Sequence, residues 1–369
     1  MKSLLSFFST QKKKSLSAAL IYELKNAIKT HSTPPSLSAE EQQIVQAIRE
    51  KTDFTNTDNI TRTKAYLDFF FQHPEIHWAF LAHLVSRNAG WTMTDLKGEY
   101  LPHLLSGDQQ KSFFSFLERG NWLIFQDAYP QLLVYQESVK RKRPLFHLLS
   151  AFHVSSFMSV VWRRFWIEKD RDILSTALII NEQHYIDSRI IKDDIFHQSV
   201  FKTLPFQVQN VFNMNVILFP RNDNSFIQLI GETANHFLYV RERINLGKRL
   251  YQILFSKQEI FDAILDWASQ HPHTGSRKDF WPHFFHPIKE GIPGEKRTIE
   301  MCKITEGPRI YSPLLSVWKE VSHEPPNRED WFTNDSALSL FSLPAPDLTG
   351  NVSKTYCHSI ECLEKLCRI

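Results

Sequence analysis

From Pro144 to Trp162 the chain carries no charged residue, and this segment sits between the basic run Lys140-Arg141-Lys142-Arg143 and the pair Arg163-Arg164. Whether it crosses a bilayer or is buried in protein decides the class of the whole molecule. Its interior argues for burial, because His147, His153, Ser150, Ser155, Ser156 and Ser159 dilute its apolar content. Positive charge at both ends also gives no orientation under the positive-inside rule. The segment therefore reads as a buried helix at the centre of the fold, apolar nearly all round, with serine hydroxyls returned to the backbone one turn earlier. The Lys140–Arg143 run reads as a solvated helix end, with an acidic partner or a phosphate backbone as the other reading.

Helical periodicity continues on both sides of that segment. Helices are expected over Ser17–Lys29, over Ser38–Lys51 with a Ser38/Glu41 capping box, and over Thr61–Gln72. Further ones are expected over Gln109–Glu118, Trp122–Ala128, Gln131–Lys140, Asp172–Lys192 and Thr233–Phe255, the last followed through a Ser256/Glu259 capping box by the second arm of a helical hairpin. Asn215–Phe219 is an apolar run that a short strand and a buried helix explain equally well. Past Pro272, Pro, Gly, His and Trp punctuate the chain, and only Pro313–Val321 reads as a helix. No solenoid-period repeat or sustained heptad is present.

Across 369 residues, 29 Phe and 9 Trp against only 11 Gly favour helices over turn-rich sheet. The expected fold is all-α: a multi-helix globular bundle around a central apolar helix, with a less regular C-terminal region. Its expected divisions are an N-terminal helix and linker (1–36), a helical core (37–271), an irregular extension packed on the core (272–345) and a tail (346–369).

A net charge of +3 is too small to indicate nucleic acid by itself. Four cysteines do not make a disulfide framework, so reduced thiols are expected; Cys357, Cys362 and Cys367, beside His358, lack the tighter pairs of structural zinc sites. Leu4, Leu5, Phe7 and Phe8 followed by Lys12–Lys14 are too short for a secretory signal; a frayed helical end and a weak membrane-surface anchor both explain them.

The densest group of polar, chemically capable side chains lies in FLAHLVSRNAGWTMTDLKG, from Phe80 to Gly98. Pro74 suits a first helical turn, Ile76, Phe80, Leu81, Leu84 and Val85 form one buried stripe, and Asn88 to Gly90 suit a helix end. Thr92 and Asp95 have the spacing of a capping box opening the next helix. That leaves His83, Ser86, Arg87, Asn88, Trp91 and Lys97 without a structural explanation. A corner tied by side-chain hydrogen bonds is one reading of them, and a ligand or catalytic site is the other.

The same motif, with ERINLGKRLYQILF (Glu242–Phe255) and GPRIYSPLLSVWKEV (Gly307–Val321), resembles a family of uncharacterised proteins from spore-forming bacilli, the YppC-like domain of unknown function 2515. The resemblance runs through most of the chain, outside the first thirty or so residues and the tail after about Ala345. It implies a bacterial protein and carries over no activity, catalytic residue or cofactor.

No G-x-S-x-G elbow, phosphate-binding loop, G-x-G-x-x-G or H-E-x-x-H is present. Di-iron bundles need two Glu-x-x-His pairs, and the chain spells one, Glu320 to His323. In His73-Pro-Glu75-Ile-His77 the histidines straddle a helix start instead of sharing a face. Arg241, Arg243, Lys248 and Arg249 lie on one amphipathic helix. If Arg243 and Asn245 point inward beside Arg87 and Asn88 they form an anion-recognising pocket, and if outward, a solvated face paired with Glu232 or Glu242.

The expectation is a cytoplasmic, non-catalytic protein that binds a protein partner or an anionic small molecule through the Arg87 corner, with Ser86, Asn88, Trp91, Lys97, Arg243 and Asn245 contributing. An enzyme is the alternative, with His83 as acid or base, Asp95 orienting it, and Arg87 or Arg243 stabilising negative charge. A nucleic-acid surface built from the basic clusters is a third reading.

Overall fold

A computed structural model describes residues 16–29, 36–202, 215–223, 226–282, 285–286, 299–300, 303–304, 309–310, 313–341 and 351–367. The N-terminal residues considered for membrane contact lie outside them. The architecture is all-α with small two-stranded sheets, and no helix among the described residues is long and apolar enough to cross a membrane.

The helices in chain order begin with α1 (Ala18–Lys29), α2 (Ala39–Thr55), α3 (Asn59–Gln72), α4 (His77–Asp95), α5 (Leu101–Leu104) and α6 (Gly107–Arg141). They continue with α7 (Ser156–Glu168), α8 (Arg171–Ile186) and α9 (Asp194–Phe196), then the hairpin β1 (Val216–Asp223) and β2 (Phe226–Thr233). After it come α10 (Val240–Phe255), α11 (Gln258–Gln270), α12 (Leu314–Val317) and α13 (Ser353–Cys367). The Ser38/Glu41 box caps α2 as expected, and Asp58 caps α3 by accepting from the Thr61 amide.

Several boundaries differ from those the sequence suggests. Pro74 precedes the helix, and α4 runs unbroken through Asn88, Ala89 and Gly90 to Asp95. Thr92 is no cap, since its hydroxyl donates to the Asn88 carbonyl at 2.9 Å inside the helix. Gly90 serves close packing: a Cβ there would lie 2.3 Å from Asn59 Oδ1 and 2.6 Å from His273 Nε2. The three helices expected between Gln109 and Lys140 are one, α6, which passes through Pro130. An internal proline costs about 3 kcal/mol, and the burial of Phe125, Ala128, Leu132 and Leu133 around it offsets that.

The uncharged segment is buried but is not a single central rod. Phe146–Phe152 forms a 3-10 turn, His153 adopts a left-handed backbone (φ 58°), and Ser155 starts α7 by accepting from the Met158 amide. The serine hydroxyl that caps a helix start also breaks the helix before it.

Asn215–Phe219 falls mostly in strand β1, paired antiparallel with β2 in the register Phe219↔Ile230. The helix expected from Thr233 therefore begins only at Val240. Ser256 does not cap α11, whose N-cap is Lys257 without a side-chain bond. The helix expected over Pro313–Val321 is the short α12.

The C-terminal helix α13 was not anticipated, although Tyr356, Ile360 and Leu363 mark its buried face. Cys357 on that face is disulfide-bonded, whereas Cys362 and Cys367 are free. Reduced thiols were expected throughout because sequence spacing does not reveal spatial neighbours. The main apolar core extends from Leu20 and Leu24 of α1 through α4, α6, α7 and α8 to Ile360 and Leu363 of α13.

Candidate functional site

Helix α4 carries His83, Ser86, Arg87, Asn88 and Trp91 into the interior, and each meets a specific partner. Arg87 is sealed from solvent at 0% exposure. Its Nη1 donates to the His271 carbonyl at 2.8 Å, its Nη2 lies 3.5 Å from Asp279 Oδ2, and its guanidinium stacks 4.3 Å above the Trp267 ring. Burial lowers its pKa to about 10, and Asp279 opposes that shift.

Asp279 is the hub of this corner and was not singled out from sequence. Trp91 Nε1 donates to its Oδ2 at 3.2 Å, and the Thr274 hydroxyl donates to its Oδ1 at 2.6 Å. Burial pushes its carboxyl up, but His273, Arg87 and Thr274 outweigh that and hold it below the ordinary value. Burial depresses His273 to about 4. Its Nε2 bonds Asn59 Oδ1 at 2.8 Å, and its Nδ1 lies 3.4 Å from both the Gly275 amide nitrogen and Asp279 Oδ2.

Asn59 in turn donates to the Ser86 carbonyl and hydroxyl, and Ser86 shares a 2.6 Å bond with Thr63. Asn88 binds strand β1, and Lys97 donates to Gln110 at 2.8 Å while facing the Trp318 ring. These contacts tie α4 to the loop after α11 as well as to α3 and β1.

The acid–base pair considered from sequence is not assembled. His83 and Asp95 lie roughly 18 Å apart along one helix at 1.5 Å per residue. Asp95 is held by Arg277 at 2.7 Å, while His83 Nδ1 bonds the Thr63 carbonyl at 2.8 Å. Burial and the Arg87 charge depress His83 well below its ordinary value. Sequence cannot show that the nearest cation to Asp95 comes from residue 277.

Arg243 does point inward, yet not beside Arg87 and Asn88. Its Nε donates to Gln183 Oε1 at 2.9 Å, its Nη1 to the Phe237 carbonyl at 2.8 Å, and its Nη2 to Asp187 Oδ1 at 2.6 Å. Asn245, two residues on, is half-buried.

Arg243 and Ser86 instead share the wall of a cavity of about 130 Å³. Helix α3 supplies Arg62 and Tyr66, α4 supplies Trp78, Leu81, Ala82 and Val85, and α6 supplies Asn121 and Ile124. Glu182 and Gln183 of α8, Ile217 of β1, Phe237, and Leu246, Gly247 and Leu250 of α10 complete the wall. Most of this wall is apolar.

Its charges are unevenly compensated. Arg62 is bonded to Glu118, and Arg243 to Asp187. Glu182 accepts from the Trp78 indole at 3.2 Å and from the Gln183 amide at 3.1 Å. No cation is paired with it among the described residues. Burial raises its carboxyl to about 7. The Tyr66 hydroxyl and Arg62 Nε, both buried, have no hydrogen-bond partner among the described residues. Sequence reasoning passed over Glu182 because an acid in a helix ordinarily reads as a solvated position.

Among the described residues no group of three or more His, Cys, Asp or Glu is placed to hold a metal. His77 stacks on Phe255 and bonds the Tyr251 hydroxyl at 3.0 Å, whereas His73 lies 3.4 Å from Glu75. His323 approaches Glu118, not Glu320. In the basic run, Lys140 pairs with Glu137, Arg141 with Glu40 and Glu137, and Arg143 with Glu40, while Arg164 pairs with Glu23 and Glu168. These ion pairs weaken the case for a bare basic surface.

A family described as protein of unknown function (DUF2515) matches residues 55–349. An uncharacterized protein YppC of Bacillus subtilis (strain 168) is 47% identical over 280 residues, covering 75% of this chain and 84% of the relative. No solved structure matches. The resemblance read from the α4 motif is thus supported over most of the chain.

Proposed function

We propose that this chain, which belongs to the DUF2515 family of proteins of unknown function, is a non-catalytic binding protein that takes up one small molecule in the cavity between α3, α4, α6, α8, β1 and α10. The observation that carries this reading is the cavity itself, about 130 Å³ and walled mainly by Trp78, Leu81, Val85, Ile124, Leu246 and Leu250. An apolar void of about 150 Å³ is large enough for a single aromatic ring. Well-packed interiors ordinarily leave few voids larger than a water molecule. Concave, mainly apolar sites with a few convergent polar groups are where small ligands bind.

The binding class expected from sequence is kept, and its place shifts from the Arg87 corner to the neighbouring space reached by Ser86 and Arg243. The corner's role in this reading is to fix α4, and with it the Trp78–Ser86 wall.

Thermal-shift measurements with single-ring compounds test the proposal. Ligands that bind only the folded state raise Tm in proportion to occupancy. The rise is expected in the wild type and is expected to vanish in Ala82→Leu, which fills the cavity, with helical circular dichroism unchanged. A rise that survives the filling substitution unaltered contradicts the proposal.

A further inference from the structure

We infer that the occupant is a small protonated amine with an apolar body, for which Glu182 is the counter-ion. This rests on the cavity-binding reading above and specifies its ligand class.

The wall's charges lead to this conclusion. Each guanidinium that reaches the cavity already has a carboxylate: Arg62 is bonded to Glu118 and Arg243 to Asp187. Arg243 also spends its remaining donors on Gln183 and the Phe237 carbonyl. Among the described residues an entering anion would therefore meet no uncompensated cation on the wall, and it would meet Glu182.

Glu182 is the wall's carboxylate without a cation among the described residues, and its oxygens are held by neutral donors, the Trp78 indole and the Gln183 amide. These bonds fix the carboxylate while leaving its charge unneutralised. Such a group favours a ligand that supplies the missing positive charge. Burial already resists its ionisation, which raises it to about 7, and a bound ammonium would relieve that cost.

The surroundings suit the rest of such a ligand. Tyr66 and Trp78 line the same space, and aromatic rings attract a cation placed over them. Leu81 and Leu250 enclose an apolar body of about one ring. A second acid, Asp127, is bonded to Asn181 at 2.6 Å and Gln131 at 2.9 Å, and it adds to the negative potential felt by Glu182.

Isothermal titration of the full chain with benzylamine, benzyl alcohol and benzoate, three probes of similar size and different charge, tests this assignment. Benzylamine is expected to bind at least tenfold more tightly than benzyl alcohol, and benzoate more weakly than either. Glu182→Gln is expected to erase the preference for the amine and to retain benzyl alcohol binding, which shows that the cavity is intact.

Equal binding of benzylamine and benzyl alcohol, unaffected by Glu182→Gln, would overturn the amine assignment and leave the cavity-binding reading standing. Tightest binding of benzoate would overturn it in favour of an anion site. If no probe binds either protein, the cavity-binding reading fails together with the amine assignment.

Discussion

Asn88 and Leu218 exchange a pair of hydrogen bonds: the Asn88 amide donates to the Leu218 carbonyl and the Leu218 N–H donates to Asn88 Oδ1, each at 2.8 Å. A side chain of α4 thereby satisfies a backbone pair of β1 that has no third strand beside it among the described residues. Both partners are buried. Asn88→Ala is expected to strand the two backbone groups and to cost about 2–6 kcal/mol, at about 1–3 kcal/mol for each buried group left unsatisfied. Urea unfolding measures this, and a loss below 0.5 kcal/mol, taken as roughly the scale of a neutral surface change, would show the pairing to be dispensable.

Gly90 gives a second, oppositely signed test. In an open helix interior Gly→Ala stabilises by about 1 kcal/mol. Here the new Cβ would press on Asn59 and His273, each held in the polar network. Overpacking costs about 1–3 kcal/mol, so Gly90→Ala is expected to lower the urea midpoint, and a raised midpoint would contradict the packing role.

Removing Arg87 should leave Asp279 buried without its cation, at a cost of about 3–5 kcal/mol. Arg87→Met is therefore expected to destabilise strongly, and the double substitution Arg87→Met/Asp279→Asn to recover part of the loss. Strict additivity in that cycle would mean that the 3.5 Å approach of the two groups carries no coupling.

Glu182 and Asp127 are both raised by burial, each to about 7 from ordinary values of 4.5 and 3.8. A carboxyl whose folded pKa exceeds its unfolded value stabilises fully below the unfolded value, and this contribution is lost as pH rises through the folded value. Ligand-free wild type should thus lose stability relative to Glu182→Gln between about pH 4.5 and 7, by at most about 3 kcal/mol. His83 and His273, depressed by burial, act in the opposite sense and lose stability as pH falls below 6.5. The difference between the two proteins cancels that background. A gap that stays flat across the window would contradict the burial assigned to Glu182.

Features set by adjacent residues were readable in the chain. The Ser38/Glu41 box works within one helical turn, and the alternation of apolar and polar positions located most helices. Gly90 was misread as a terminator because the groups that exclude a side chain there, Asn59 and His273, are distant in sequence. Pro130 was misread as a break because its cost is local and the packing that offsets it is not.

The α4 motif was correctly seen as chemically dense. Arg87 was expected to be accessible, and its sealing depends on Trp267, His271 and Asp279, all brought from more than one turn past the end of α10. The cavity was invisible from sequence because the elements walling it are contiguous only after folding.

Methyl-resolved NMR of the full chain titrated with benzylamine tests the central claim most directly. The account predicts shifts concentrated on Leu81, Val85, Ile124, Ile217, Leu246 and Leu250, the leucine, isoleucine and valine residues of the cavity wall. Shifts centred instead on Leu96 and Ile264, which lie outside that wall, or none at saturating probe, would contradict it.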